Sequence, residues 1–219
     1  MAPNPGAPAF KVFLFFTVNR YTILHKTLGP IVGRPYECKL ISLGGVGSTA
    51  LGRHIWSTND KTSYEHAFSP AIFTGHPKLR LGYMYGDPYN AVLSVFRRGY
   101  QDMHIKAMHR HTGIKPPSLS GVTIEQYLEA GKDQFGLEAQ FDRWVGGEKA
   151  PAPLVLIKYE GLGEGIGEVL DFFGVRKPFG VRPRKSAWEA QPESVRRGLE
   201  AIYGRLREKV LAMPSVKII

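Results

Sequence analysis

Apolar positions along the chain gather into short continuous runs separated by longer amphipathic stretches. Lys39-Leu40-Ile41-Ser42-Leu43 is one such run and ends in glycines. Arg80-Leu81-Gly82-Tyr83-Met84-Tyr85 is a second, and Leu154-Val155-Leu156-Ile157-Lys158 a third. A short unbroken apolar run bounded by turn residues is the pattern of a strand buried on both faces, because a parallel sheet covered by helices has no solvent side to demand polar alternation. Each run leads into a helical pattern. Ser48 to Ile55 reads as the first turns of one helix. Asp87-Pro88 opens another, with Asp as cap and Pro at the first helical position; from Tyr89 to Tyr100 it places Val92, Leu93, Val95 and Phe96 on or near a buried side. Thr123-Ile124-Glu125-Gln126 starts a helix expected to reach Trp144. A further helix follows Tyr159-Glu160-Gly161-Leu162 and ends near Phe173, with Gly174 as its stop, and an amphipathic one runs from about Pro192 to Leu211. Strands alternating with helices predict a single α/β domain whose mostly parallel sheet, of four or five strands, carries helices on both faces.

Residues 1–9, rich in Pro, Gly, Ala and Asn, read as a disordered tail ahead of a domain spanning 10–219. Within 10–35 the most apolar stretch is Val12 to Val18, expected to be a strand or packing arm. It is shorter than the about 20 apolar residues a bilayer requires, and it lacks the basic start and small-residue cleavage site of a signal peptide. The stretch from His104 to Ser120 is basic, ends in Pro116-Pro117 and reads as a surface loop or lid. A length of 219 residues supports one sizeable core. Charge changes the picture more than hydropathy does: a formal +10 favours anionic partners such as nucleotides, sulfated or phosphorylated substrates, nucleic acid or an anionic membrane surface. The single cysteine, Cys38, excludes an internal disulfide and a cysteine-only metal site; it is read as a buried inert thiol, and the lack of disulfides fits a cytoplasmic location.

The strongest local signal is Gly44-Gly45-Val46-Gly47-Ser48-Thr49, between the first strand pattern and the first helix. Glycines let backbone N–H groups approach phosphate oxygens, the helix N-terminus adds partial positive charge, and the hydroxyls of Ser48 and Thr49 add donors. No Lys precedes Ser48, so the loop is not of the Walker type and magnesium-dependent ATP hydrolysis is poorly supported. A tight strand-to-helix turn that binds nothing would show the same glycines.

Taken in order, that loop, then Tyr85-Gly86-Asp87-Pro88 with Ser94, then Ile157-Lys158-Tyr159-Glu160-Gly161-Leu162 resemble the sulfotransferases that use 3′-phosphoadenosine 5′-phosphosulfate (PAPS). Phe73-Thr74-Gly75-His76-Pro77 stands where many members carry a catalytic histidine, and Arg182 to Trp188 is similar to the basic segment plus tryptophan that closes over the nucleotide. The resemblance covers roughly residues 37–210 and implies a P-loop-like sulfotransferase fold. It implies that Gly45, Val46, Gly47, Ser48 and Thr49 hold the 5′-phosphosulfate end and that Ser94, Arg182 and Arg184 contact the 3′-phosphate. It also implies that Trp188 stacks on the adenine or anchors the last segment, and that His76 takes the proton from a hydroxyl or amine acceptor. PAPS is the implied co-substrate, with no metal, and the implied acceptor is a small molecule or glycan; Tyr159 and Glu160 are expected to position the sheet end. At two points the sequence departs from the family: Gly45 or Val46 stands where a basic residue is usual, and Gly86 where an arginine is usual. Arg97 and Arg98, which follow in the same helix, and Arg53 or Lys61 near the first loop, are the cations expected to compensate. Rival readings are a nucleotide- or phosphate-binding protein of the same fold without transferase activity, a P-loop small-molecule kinase, and a nucleic-acid binder using the basic stretches near 97–115 and 176–185. Glu65-His66 is a second acid/base pair of lower rank, and His104, His109 and His111 are expected in a solvated loop.

Overall fold

The computed structural model describes residues 38–58, 62–76, 79–147, 149–181 and 187–219. The N-terminal tail, the Val12–Val18 run, Lys61, Pro77, Arg182 and Arg184 lie outside the described residues. Each of the three apolar runs is a strand: β1 (Cys38–Ser42), β3 (Arg80–Tyr85) and β4 (Leu154–Lys158). Leu40, Ile41, Leu81, Tyr83, Val155 and Ile157 are fully buried, which is why these runs tolerate almost no polar residue. Two further strands, β2 (Thr62–Glu65) and β5 (Val216–Ile218), complete a five-stranded sheet in the order β2-β1-β3-β4-β5. The first four are parallel, and β5 pairs antiparallel with β4, Val155 opposite Ile218.

Helices α1 (Ser48–Thr58), α2 (Pro88–Arg97), α3 (Gln101–Met108), α4 (Ile124–Glu129), α5 (Leu137–Asp142), α6 (Leu162–Phe173) and α7 (Glu193–Ala212) surround the sheet. They lie on both faces. Tyr83 stacks on Trp144 at 5.2 Å, just beyond α5, and Tyr85 meets the edge of Phe141 within α5. Gly82 points to the opposite face, where a Cβ would stand 2.7 Å from Phe173 of α6. The predicted caps are present. Asp87 Oδ1 accepts from the Asn90 amide at 3.1 Å, and α6 stops at Gly174 with φ 70°. Two cationic side chains finish helices at their carbonyl ends: Arg80 donates to Phe172 O at 2.7 Å, and Lys158 donates to the carbonyl of Met213. No helix among the described residues is long and apolar enough to cross a membrane.

Two expectations are corrected. The helix expected from Thr123 to Trp144 is broken into α4 and α5. Gly131 and Gly136, at φ 63° and 73°, bracket the interruption, and Asp133 fills it by accepting from the Gly136 and Glu138 amides, both at 3.0 Å. Burial raises the Asp133 pKa despite those hydrogen bonds. The basic stretch starting at His104 does not begin as a solvated loop: it begins inside α3, with His104, Ile105 and Met108 buried.

Candidate functional site at the carboxyl edge of the sheet

β2 lies on one side of β1 and β3 on the other, so the chain reverses its direction of winding between the carboxyl ends of β1 and β3. Open α/β sheets bind ligands at such a switch point, and the glycine loop stands there. Ser42, the last residue of β1, organises it: the Gly44 amide donates to Ser42 Oγ at 3.1 Å and Ser48 Oγ donates to the same oxygen at 2.9 Å. Gly44, Gly45 and Gly47 all adopt left-handed backbone, with φ 89°, 67° and 78°. Their surroundings also forbid a side chain. A Cβ would stand 2.2 Å from His104 Cε1 at Gly44, 2.3 Å from Ala91 O at Gly45 and 2.8 Å from the Tyr159 ring at Gly47. The amides of Val46, Gly47 and Thr49, at the start of α1, have no acceptor among the described residues. Converging donors at a helix N-terminus suit an oxyanion.

The two hydroxyls expected to serve this loop differ. Ser48 is buried and bonded inward to Ser42, whereas Thr49 is exposed. Ser94 is buried in α2, and its carbonyl accepts from Arg98 Nε at 2.8 Å. Arg53 and Arg97 are exposed. Trp188 donates its amide to Asn90 Oδ1 at 3.0 Å, and its ring lies over the guanidinium of Arg207, 5.0 Å from Cζ to ring centroid. Asp87 joins three elements: Oδ2 accepts from Arg207 Nε at 2.9 Å, and its amide donates to Glu160 Oε1 at 3.0 Å. Glu160 thus positions the end of β3, the role expected of it.

His76 is not brought to the loop. It is exposed, and its carbonyl accepts from the Leu79 amide at 3.1 Å, just before β3 begins. The six residues of β3, ~20 Å at 3.3 Å each, separate that edge of the sheet from the loop. The imidazole at the loop belongs to His66, immediately after β2. Its Nδ1 donates to Ser42 O at 2.9 Å; a carbonyl only accepts, so the neutral ring carries its lone pair on Nε2. Gln140, buried, holds the neighbouring backbone by donating to Ala67 O at 2.8 Å. The glycine pattern revealed the loop, but the short polar strand that delivers His66 has no apolar run to reveal it.

His104 meets the His66 ring edge-on at 4.8 Å between centroids and forms the wall behind Gly44. Burial holds its pKa well below the usual 6.5, with His66 and Arg98 pushing the same way. Below pH 6.5 the unfolded chain therefore takes up a proton that the folded chain refuses, and stability should fall as pH drops, by up to ~1.4 kcal/mol per pH unit. Urea midpoints between pH 7 and 5.5 test this: His104→Gln, which keeps a donor without the titration, should flatten the slope. Asp133, with its raised pKa, gives the opposite slope above 3.8 but is common to both proteins, so the difference isolates His104.

Compared with protein-family models, with curated proteins and with solved structures, the chain matches none.

Proposed function

We propose that the chain binds the 5′-phosphosulfate end of PAPS at residues 44–49 and transfers its sulfuryl group to a hydroxyl or amine acceptor. The observation that carries this reading is the loop: three glycines in left-handed backbone lead into the start of α1 at the switch point of the sheet, where the amides of Val46, Gly47 and Thr49 have no acceptor among the described residues. An anionic phosphosulfate fits that donor set, and the exposed Thr49 adds a hydroxyl. Bound there, PAPS supplies a sulfuryl group whose bond to the phosphate oxygen breaks as the acceptor's bond to sulfur forms, the bisphosphate leaving with the electron pair. The chain's part is to hold the phosphate end by loop amides and to take the acceptor's proton. His66 is the residue proposed for that proton, in place of His76, because its ring is held at the end of β1, against Ser42 O, where the loop begins. Ser94, Arg182 and Arg184 are retained for the 3′-phosphate on the resemblance alone.

A binding protein without transfer is the second reading, favoured by Gly45 and Val46, which bring no cation to the bridging oxygen. Calorimetry with 3′-phosphoadenosine 5′-phosphate, AMP, and ATP plus magnesium tests the site. Binding of the bisphosphate, weakened severalfold or more without its 3′-phosphate, is the expected result. Binding of ATP with magnesium in preference to the bisphosphate, or of neither, would overturn it; binding of the bisphosphate with no sulfuryl transfer from PAPS to any acceptor class would select the second reading.

A further inference from the structure

We infer that Arg207, on α7, is a second oxyanion-binding residue of this site and that it reads the 3′-phosphate of the nucleotide; the inference rests on the nucleotide reading above. A guanidinium carries five N–H donors in one plane. In Arg207 one of them, on Nε, is spent on Asp87 Oδ2 at 2.9 Å. The four on Nη1 and Nη2 have no acceptor among the described residues. The side chain is partly exposed, at 28%.

Everything else about the group is fixed. Tyr89 and Trp188 each present a ring face to it, both at 5.0 Å from Cζ to centroid, and these two rings meet each other edge to face at 5.1 Å. Tyr89 is held in turn by its hydroxyl, which donates to Glu200. Two rings at nearly right angles around one guanidinium restrict its rotation and screen part of it from water. Asp87 is itself buried and fixed as the cap of α2. The fork is therefore oriented before any ligand arrives, so little side-chain entropy remains to be lost on binding.

Its location joins it to the loop. Asp87 follows the end of β3, which runs beside β1 with Ser42 opposite Met84. The Ala91 amide bonds Asp87 O one helical turn on, and the Ala91 carbonyl is the surface against which Gly45 packs. The glycine loop and the Arg207–Asp87 pair thus both adjoin the first turn of α2. Asp87 offsets much of the Arg207 charge, and Glu160 and Glu200 stand close by. Recognition must then come from the planar fork more than from net charge, so lysine should not substitute.

Calorimetry on the full chain, with 3′-phosphoadenosine 5′-phosphate and AMP against the wild type, Arg207→Lys and Arg207→Gln, tests this. Losing charge-assisted hydrogen bonds should cut bisphosphate affinity by about 10- to 100-fold in both variants, with AMP affinity changed less than about twofold. Bisphosphate affinity left intact in either variant overturns the inference and leaves the loop reading standing. A wild type that binds both nucleotides equally also overturns it, whereas a wild type that binds neither removes the nucleotide reading with it. Should the variants not fold, phenylglyoxal labelling of the wild type followed by peptide mass spectrometry decides: the bisphosphate must protect Arg207 where AMP does not, and equal labelling overturns the inference.

Discussion

Replacing Gly45 with alanine should abolish binding at the loop and destabilise the fold by about 2–5 kcal/mol. The backbone there has φ 67°, which costs an L-residue roughly 1–2 kcal/mol. The new Cβ would also stand 2.3 Å from Ala91 O and 2.9 Å from Ala91 Cα and C. These are backbone atoms of α2 and cannot rotate away, so the loop must lift off the helix; overpacking of this kind costs about 1–3 kcal/mol more. Gly75→Ala is the control: φ is 88° and a Cβ there meets nothing within 4 Å, so it carries the conformational cost alone. Urea midpoints of the two variants, with calorimetry on the bisphosphate, separate these contributions. Equal destabilisation of the two would show that the contact between Gly45 and Ala91 is not what holds the loop.

Removing the His66 imidazole should lower sulfuryl transfer by about two to four orders of magnitude, with bisphosphate affinity close to that of the wild type. His76→Ala should leave turnover unchanged, since His76 lies at the amino edge of β3 and the loop at the carboxyl edge of β1. Turnover and binding measured on both variants discriminate sharply. Loss of turnover in His76→Ala with retention in His66→Ala would assign the base to the residue that motif order indicated and would require an acceptor site at the opposite edge of the sheet.

That contrast shows where the sequence was legible. Strands β1, β3 and β4 were readable because burial on both faces forces a continuous apolar run, and α2 and α6 because Asp87-Pro88 and Gly174 carry local backbone chemistry. Strands β2 and β5 were not: among the described residues each pairs with one strand, and neither Thr-Ser-Tyr-Glu nor Val-Lys-Ile makes an unbroken apolar segment of strand length. With β2 unseen, His66 had no element to carry it to the loop, and a histidine nearer the next visible strand drew the reading instead. His104 failed for a related reason. Its neighbours are polar and basic, yet the wall behind Gly44 needs a flat ring, a tertiary demand that local composition does not record. Arg207 sits in an amphipathic helix whose pattern marks a buried side but not its partner, Asp87, which lies far back along the chain.

Strand order also has a kinetic consequence. Among the described residues the sheet contains no hairpin: every ladder joins strands separated by at least one helix, including the antiparallel pair, where α6 and α7 intervene between β4 and β5. Loop closure must therefore precede each rung, which slows folding relative to a sheet built from local turns. The outer neighbour of β4, Val216–Ile218, follows α7 in the chain, and Lys158 donates to the carbonyl end of that helix. Removing Val216–Ile218 should therefore leave the apolar strand β4 with an open edge, the feature through which sheets associate edge to edge.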